Sequence, residues 1–141
     1  MIQRIQTVYL FLGALALAAL GAFEVPWATR AATTYAWFVP SLIGLIVATA
    51  GGALWAIFLY ETRKRQRTVV VAVQVGTLLL AGVLYGGLFV TAELTVGTGQ
   101  GIEWGRTTAL LLPIVAYALF LLARRGIDHD IELVESMDRL R

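Results

Sequence analysis

Four long apolar runs, at about 5–23, 36–60, 68–92 and 107–123, occupy most of the chain, and its basic residues fall into every second gap between them. Each run is near the ~20 residues with which an α-helix crosses ~30 Å of hydrocarbon. A run such as 42–60 is apolar on all sides, whereas a soluble helix is apolar only on the face it buries. Such surfaces need lipid. Without water the backbone must satisfy its own amides, so the runs predict helices, and the alternation required by a closed barrel is missing. A mean hydropathy of +0.79, with 59% hydrophobic and 14% charged residues, points the same way. The expectation is an all-α membrane protein. Residues 1–126 form one antiparallel bundle of four transmembrane helices, and 127–141 form a short amphipathic tail helix.

The basic residues orient it. With a cytoplasmic amino terminus, that side receives Arg4, Arg63, Lys64, Arg65, Arg67, Arg124, Arg125, Arg139 and Arg141, and the other only Arg30 and Arg106. The connections are short, the regime in which positive charge stays inside, so both termini are expected in the cytoplasm. Trp27, Tyr35, Trp37 and Trp104 then form an outer aromatic belt, and Tyr9, Trp55 and Tyr60 an inner one. The run 5–23 exceeds the ~7–15 residues of a signal-peptide core, so it is expected to remain as a helix rather than be cleaved.

Several chemistries lack their residues. The absence of cysteine removes disulfides, thiolate metal sites and cysteine nucleophiles. His129 is the single histidine, so a haem held between two histidines of this chain is impossible, and Asp128, His129 and Asp130 read as a solvated tail rather than a metal site. No cofactor and no nucleic-acid partner is expected. Glu24, Glu61 and Glu93 lie at the ends of the runs, which separates the chain from the small multidrug exporters with their carboxylate inside the first helix. Gln74 is the one amide deep within a run, away from its ends, and it is expected to hydrogen-bond to a neighbouring helix. Gly97, Gly99 and Gly101 lie in an outer connection, not between a strand and a helix, and read as a flexible turn rather than a phosphate loop. Glu103 and Arg106 beside them are partner contacts of low specificity. No nucleophile has a base and an orienting group near it, so no enzyme is expected.

Small residues four apart mark where membrane helices approach closely. The second run carries Gly44, Ala48, Gly52 and Ala56; the first has Ala14, Ala18 and Ala22; the third has Ala72 and Gly76, then Gly82 and Gly86. Internal packing is expected to use most of these faces, with a homodimer through Gly82 and Gly86 not favoured. Pro113 predicts a kink in the fourth helix.

Gly126 is expected to end that helix. Beyond it, Ile127, Ile131 and Val134 share one side, extended by Leu133, Met137 and Leu140, opposite Asp128, Glu132, Glu135 and Arg139. Glu135 and Arg139 have the favourable i,i+4 order. A polar face this acidic suits docking on protein better than on anionic lipid. The basic turn Arg63, Lys64, Arg65 and Arg67 lies within the same chain, and the tail is expected to pack within electrostatic reach of it.

The opening Met1-Ile2-Gln3-Arg4-Ile5-Gln6-Thr7-Val8-Tyr9-Leu10 and the closing stretch around Asp130, Leu133, Val134, Asp138, Arg139, Leu140 and Arg141 resemble the small membrane proteins of Bacteroidota grouped as domain of unknown function family 4293. That resemblance implies four membrane helices and a bacterial inner-membrane home, with no established activity. The chain departs from the family's usual tail in its acidity at Asp128 and Asp130. Two functions are compatible with these features. The leading one is a non-enzymatic accessory or assembly subunit of a larger membrane complex, docking through Arg63, Lys64, Arg65, Arg67, Asp130, Leu133, Val134, Asp138 and Arg139. The alternative is a small oligomeric transport or lipid-binding protein with a cavity past Gln74, Thr77 or Tyr117.

Overall fold

The computed structural model describes residues 2–141, without the side chains at 2–4 and 98. Met1 and the Arg4 side chain, used above for the resemblance and the orientation, therefore lie outside the described residues. The chain is mostly helical: α1 (Ile2–Leu20), the short α2 (Arg30–Thr34), α3 (Phe38–Phe58), α4 (Arg63–Val90) and α5 (Trp104–Arg139), with a hairpin of β1 (Gly97–Thr98) and β2 (Gly101–Ile102) before α5. α3, α4 and α5 are long and apolar enough to cross a membrane, and the apolar part of α1 is shorter.

α1 stops three residues before the end of the first apolar run. Gly21, Ala22 and Phe23 donate to Ala18, Ala19 and Leu20, a tightening of the last turn, and the Trp27 indole donates to the Gly21 carbonyl at 2.9 Å. α4, in contrast, starts five residues before its apolar run, so the basic residues form its first turns and not a loop.

α1 packs on α3 and α5, and α4 on the same two helices. Leu10, Leu17 and Leu20 of α1, Leu80, Leu84 and Leu88 of α4, and Phe120 of α5 are buried between them. Only 22% of the most apolar window of α3, and 33% of those of α4 and α5, is buried. The outward surface is thus apolar as well, with Val47, Phe58, Phe89 and Val90 exposed on it, a surface that water does not tolerate over such an area.

Close approach is achieved by rings seated on glycines outside the expected stripes and by part of those stripes, where a Cβ on Gly76 would lie 2.6 Å from Thr49 Cγ2 and Ala14 is buried. A Cβ on Gly13 would overlap the Phe120 ring, and one on Gly87 the Phe38 ring. Gly52, facing Val73, and the buried Ala56 do serve packing. Gly44, Gly82 and Gly86 have no neighbour where a Cβ would stand, and Ala48 is exposed, so these four do not pack within the chain. The spacing of small residues reports where contact is sterically permitted, and the bulky partner that fills the notch decides where it occurs.

α5 corrects the expectation of a break at Gly126. It runs unbroken for 36 residues, about 54 Å at 1.5 Å per residue. Gly126 is needed for a different reason, because a Cβ there would lie 2.9 Å from Gln6 Cγ. Pro113 is buried inside α5. The Tyr85 hydroxyl of α4 donates to the Leu110 carbonyl in the turn before the proline, tying the two helices together one residue after Ala109, whose carbonyl loses its N–H donor at the proline.

The glycine-rich connection is a hairpin rather than an open turn. Gly97 pairs with Ile102 and Thr98 with Gly101; Gly101 has φ +144°, and a Cβ on Gly97 would overlap the Gly101 carbonyl. Both glycines are there because only glycine fits.

Candidate functional site

At one end of the molecule the amino-terminal turns of α4 lie beside the last third of α5, and α1 closes the third side. The contact begins with a buried polar cluster. Asp130, 7% exposed, accepts from the Gln6 amide at 2.9 Å through Oδ2. Its main-chain carbonyl accepts from Arg63 Nη1 at 3.2 Å. Gln6 reaches Asp130 by crossing α5 at Gly126, which is one turn earlier on the same face. Buried Gln66 donates to the Ala56 carbonyl at 3.0 Å, fastening α4 to the end of α3, where the final carbonyls have no intrahelical partner.

Around this cluster lies an exposed ring of charges. Asp128 is held by Arg67 at 2.5 Å and by Arg124 at 3.7 Å. Lys64 and Glu135 approach to 3.9 Å with both side chains well exposed; such a pair contributes about 0–1 kcal/mol. Among the described residues Glu135 pairs with Lys64 and not with Arg139. Arg124 also donates to Gln74 Oε1 at 3.4 Å. The expected partner of Gln74 on a neighbouring helix is thus an arginine near the end of the apolar run.

Arg63, Lys64 and Arg67 therefore engage α5, while Arg65 is exposed. Of the acidic-tail residues, Asp130 is buried in the cluster, whereas Asp138 and Arg139 are exposed. The apolar residues of the tail divide. Ile127 is buried and Ile131 packs against the core, but Leu133, Val134, Met137 and Leu140 are exposed, Met137 at 68% and Leu140 at 89%. At ~100° per residue, Leu133, Met137 and Leu140 form a face roughly 130° around the helix from Ile127 and Ile131. One side of the tail is thus used inside the molecule and another is free.

Sequence reasoning missed Gln6, Gln66 and the use of Gly126. The signal was there in part: Gln6 is an amide within the first apolar run, and Gly126 and Asp130 are four apart, but only their meeting in space gives them a purpose. A helical chain with three helices suited to crossing a membrane, a fourth shorter apolar helix and one polar end defines the class as a membrane-compatible helical protein. Within that class, the model of the domain of unknown function family DUF4293 matches residues 2–140, and the chain belongs to this family. No curated protein and no solved structure matches the chain significantly. The two stretches that carry the resemblance, at opposite ends of the sequence, meet through Gln6 and Asp130, 124 residues apart.

Proposed function

We propose that this protein is a multi-pass inner-membrane protein, a bundle of four membrane helices with both termini in the cytoplasm, and that it serves as a non-enzymatic accessory or assembly subunit of a larger membrane complex. The observation that carries this reading is the exposed apolar strip Leu133, Met137 and Leu140 at the end of α5. A helix of about 54 Å is longer than the ~30 Å hydrocarbon core, so its last turns project into water. There an apolar face needs a covering. The cluster around Asp130 and the Arg67–Asp128 pair hold the projection in one position, so a partner would meet a pre-ordered surface and lose less entropy on binding.

Purification of the tagged protein from native membranes in mild detergent, followed by mass spectrometry, tests this. Stoichiometric unrelated subunits are expected, and they are expected to be lost with Leu133→Asp combined with Met137→Asp while the protein remains folded. Recovery of the chain alone, as a monomer, would refute the subunit reading.

A second reading, a lipid- or hydrophobic-ligand-binding protein, is favoured by one observation. An open apolar groove of about 590 Å³ lies between α3 and α4, lined by Ala48, Gly52, Trp55, Ala72 and Gly76. It predicts a homo-oligomer with retained lipid in place of unrelated subunits.

A further inference from the structure

The end of the molecule opposite Arg63–Arg67 contains a cavity that neither reading uses. It has a volume of about 450 Å³, within the range of small-molecule sites. It lies between the turns that follow α1 and the first turn of α5, bordered by Phe23, Glu24, Val25, Thr29, Glu103 and Arg106.

Among the described residues, the buried side-chain polar atoms with no hydrogen-bond partner are Thr29 Oγ1, Arg106 Nε and Gln74 Nε2. The first two belong to residues bordering this one cavity. Thr29 is 4% exposed and stands immediately before α2, where a threonine hydroxyl ordinarily caps the first turn. It makes no such bond. Arg106 spends Nη2 on the Glu93 carbonyl and leaves Nε unused. Buried polar atoms in folded proteins are nearly always paired, so two unpaired atoms on residues bordering one cavity point to an acceptor supplied from outside, which they meet when their side chains turn into the cavity, since neither atom has surface there as it stands.

The lining also specifies the charge of that ligand. A guanidinium and a hydroxyl together suit an anionic oxygen, and the pairing is strongest when both groups are ionised. The carboxylates of Glu24 and Glu103 oppose a purely anionic ligand and suit an ammonium. The ligand is thus a zwitterion with its two charges close together. The exposed rings of Trp37 and Trp104 lie at this same end, and such rings settle at the headgroup level of a bilayer.

We propose that this cavity binds a phosphoethanolamine group, with Thr29 and Arg106 on the phosphate and Glu24 and Glu103 on the ammonium. The inference rests on the chain residing in a bilayer and is independent of any docking at the other end. A phosphocholine group has no N–H to give the carboxylates, and a phosphoglycerol group brings no cation.

The test uses the full chain in mild detergent. Phosphatidylethanolamine, phosphatidylcholine and phosphatidylglycerol of the same short acyl length are titrated separately, along with free phosphoethanolamine, with thermal midpoint and native mass spectrometry as readouts. Phosphatidylethanolamine is expected to bind roughly tenfold or more tightly than the other two lipids, the discrimination one charge-assisted hydrogen bond provides. Thr29→Val is expected to weaken binding of all three lipids alike, since each carries the phosphate, and Glu24→Gln with Glu103→Gln is expected to abolish the preference among them. Glu24 and Glu103 are exposed, so the second variant is expected to keep the midpoint of the ligand-free protein even if the first does not fold. A response to free phosphoethanolamine equal to that of the lipid assigns the site to the soluble compound, and a response to the lipid alone assigns it to the headgroup. An equal response to all three lipids, or a preference unchanged in the glutamine variant, overturns the proposal. Partner copurification reports on the opposite end and is not expected to change in either variant.

Discussion

Gln6 holds a position that hydropathy alone would give to leucine. It is buried in α1 and donates to a carboxylate that is itself 7% exposed, so removing it leaves Asp130 without that donor. Gln6→Leu is expected to destabilise the protein by about 1–3 kcal/mol in detergent unfolding, the cost of stranding a buried polar group, while Gln6→Leu with Asp130→Leu recovers much of it. A double variant as unstable as the single one would show that the bond has no such part. The glycines separate by the same logic. Gly87→Ala places a methyl into the Phe38 ring and is expected to cost about 1–3 kcal/mol. Gly82→Ala meets open space and, with alanine the better helix former by about 1 kcal/mol, is expected to leave the monomer as stable or more so. Equal losses at both positions would indicate that the Gly82 face is covered by a second copy.

At the scale of elements, α5 carries the lesson about what a sequence reveals. Its apolar run was legible, because hydrophobicity over a window of some twenty residues is a sum that no single residue overturns. Its continuation through Gly126 was not. Glycine weakens a helix by only about 1 kcal/mol, less than the packing of Ile127 and the pairing of Asp128 and Asp130 return on the far side. Whether a glycine ends a helix or admits a neighbour depends on what lies opposite, here Gln6, and that is tertiary information. The approach of the tail to the basic residues was legible from charge, but the division of its apolar residues into an inner and an outer face was not, since 127–140 alone cannot say which neighbour takes which side. Arg67→Asp and Asp128→Arg are each expected to weaken attachment of the tail, and the pair together to restore it in part, read by hydrogen exchange over 126–139. Restoration is expected to be modest, on the order of 1 kcal/mol, because the pair is partly exposed.

For the whole molecule, the lack of cysteine permits a clean measurement. Single cysteines at Arg65, Met137 and Gln100 are expected to react with a membrane-impermeant thiol reagent as two groups, the first two from the cytoplasmic side and the third from the other. Labelling of positions 65 and 137 from opposite sides would contradict the arrangement proposed here. The Gln6–Asp130 contact also has a consequence in time. Its partners are separated by 124 residues, and at roughly 5–20 residues per second of synthesis the first helix waits some 6–25 s, by that rate, for its acceptor to emerge. During that interval α1 is in place with its amide unanswered, and a chain that terminates early never answers it. The bond therefore sets an order in time: the polar end closes only after residue 130 has been made, so the Gln6 amide is answered only in chains translated past that turn of α5.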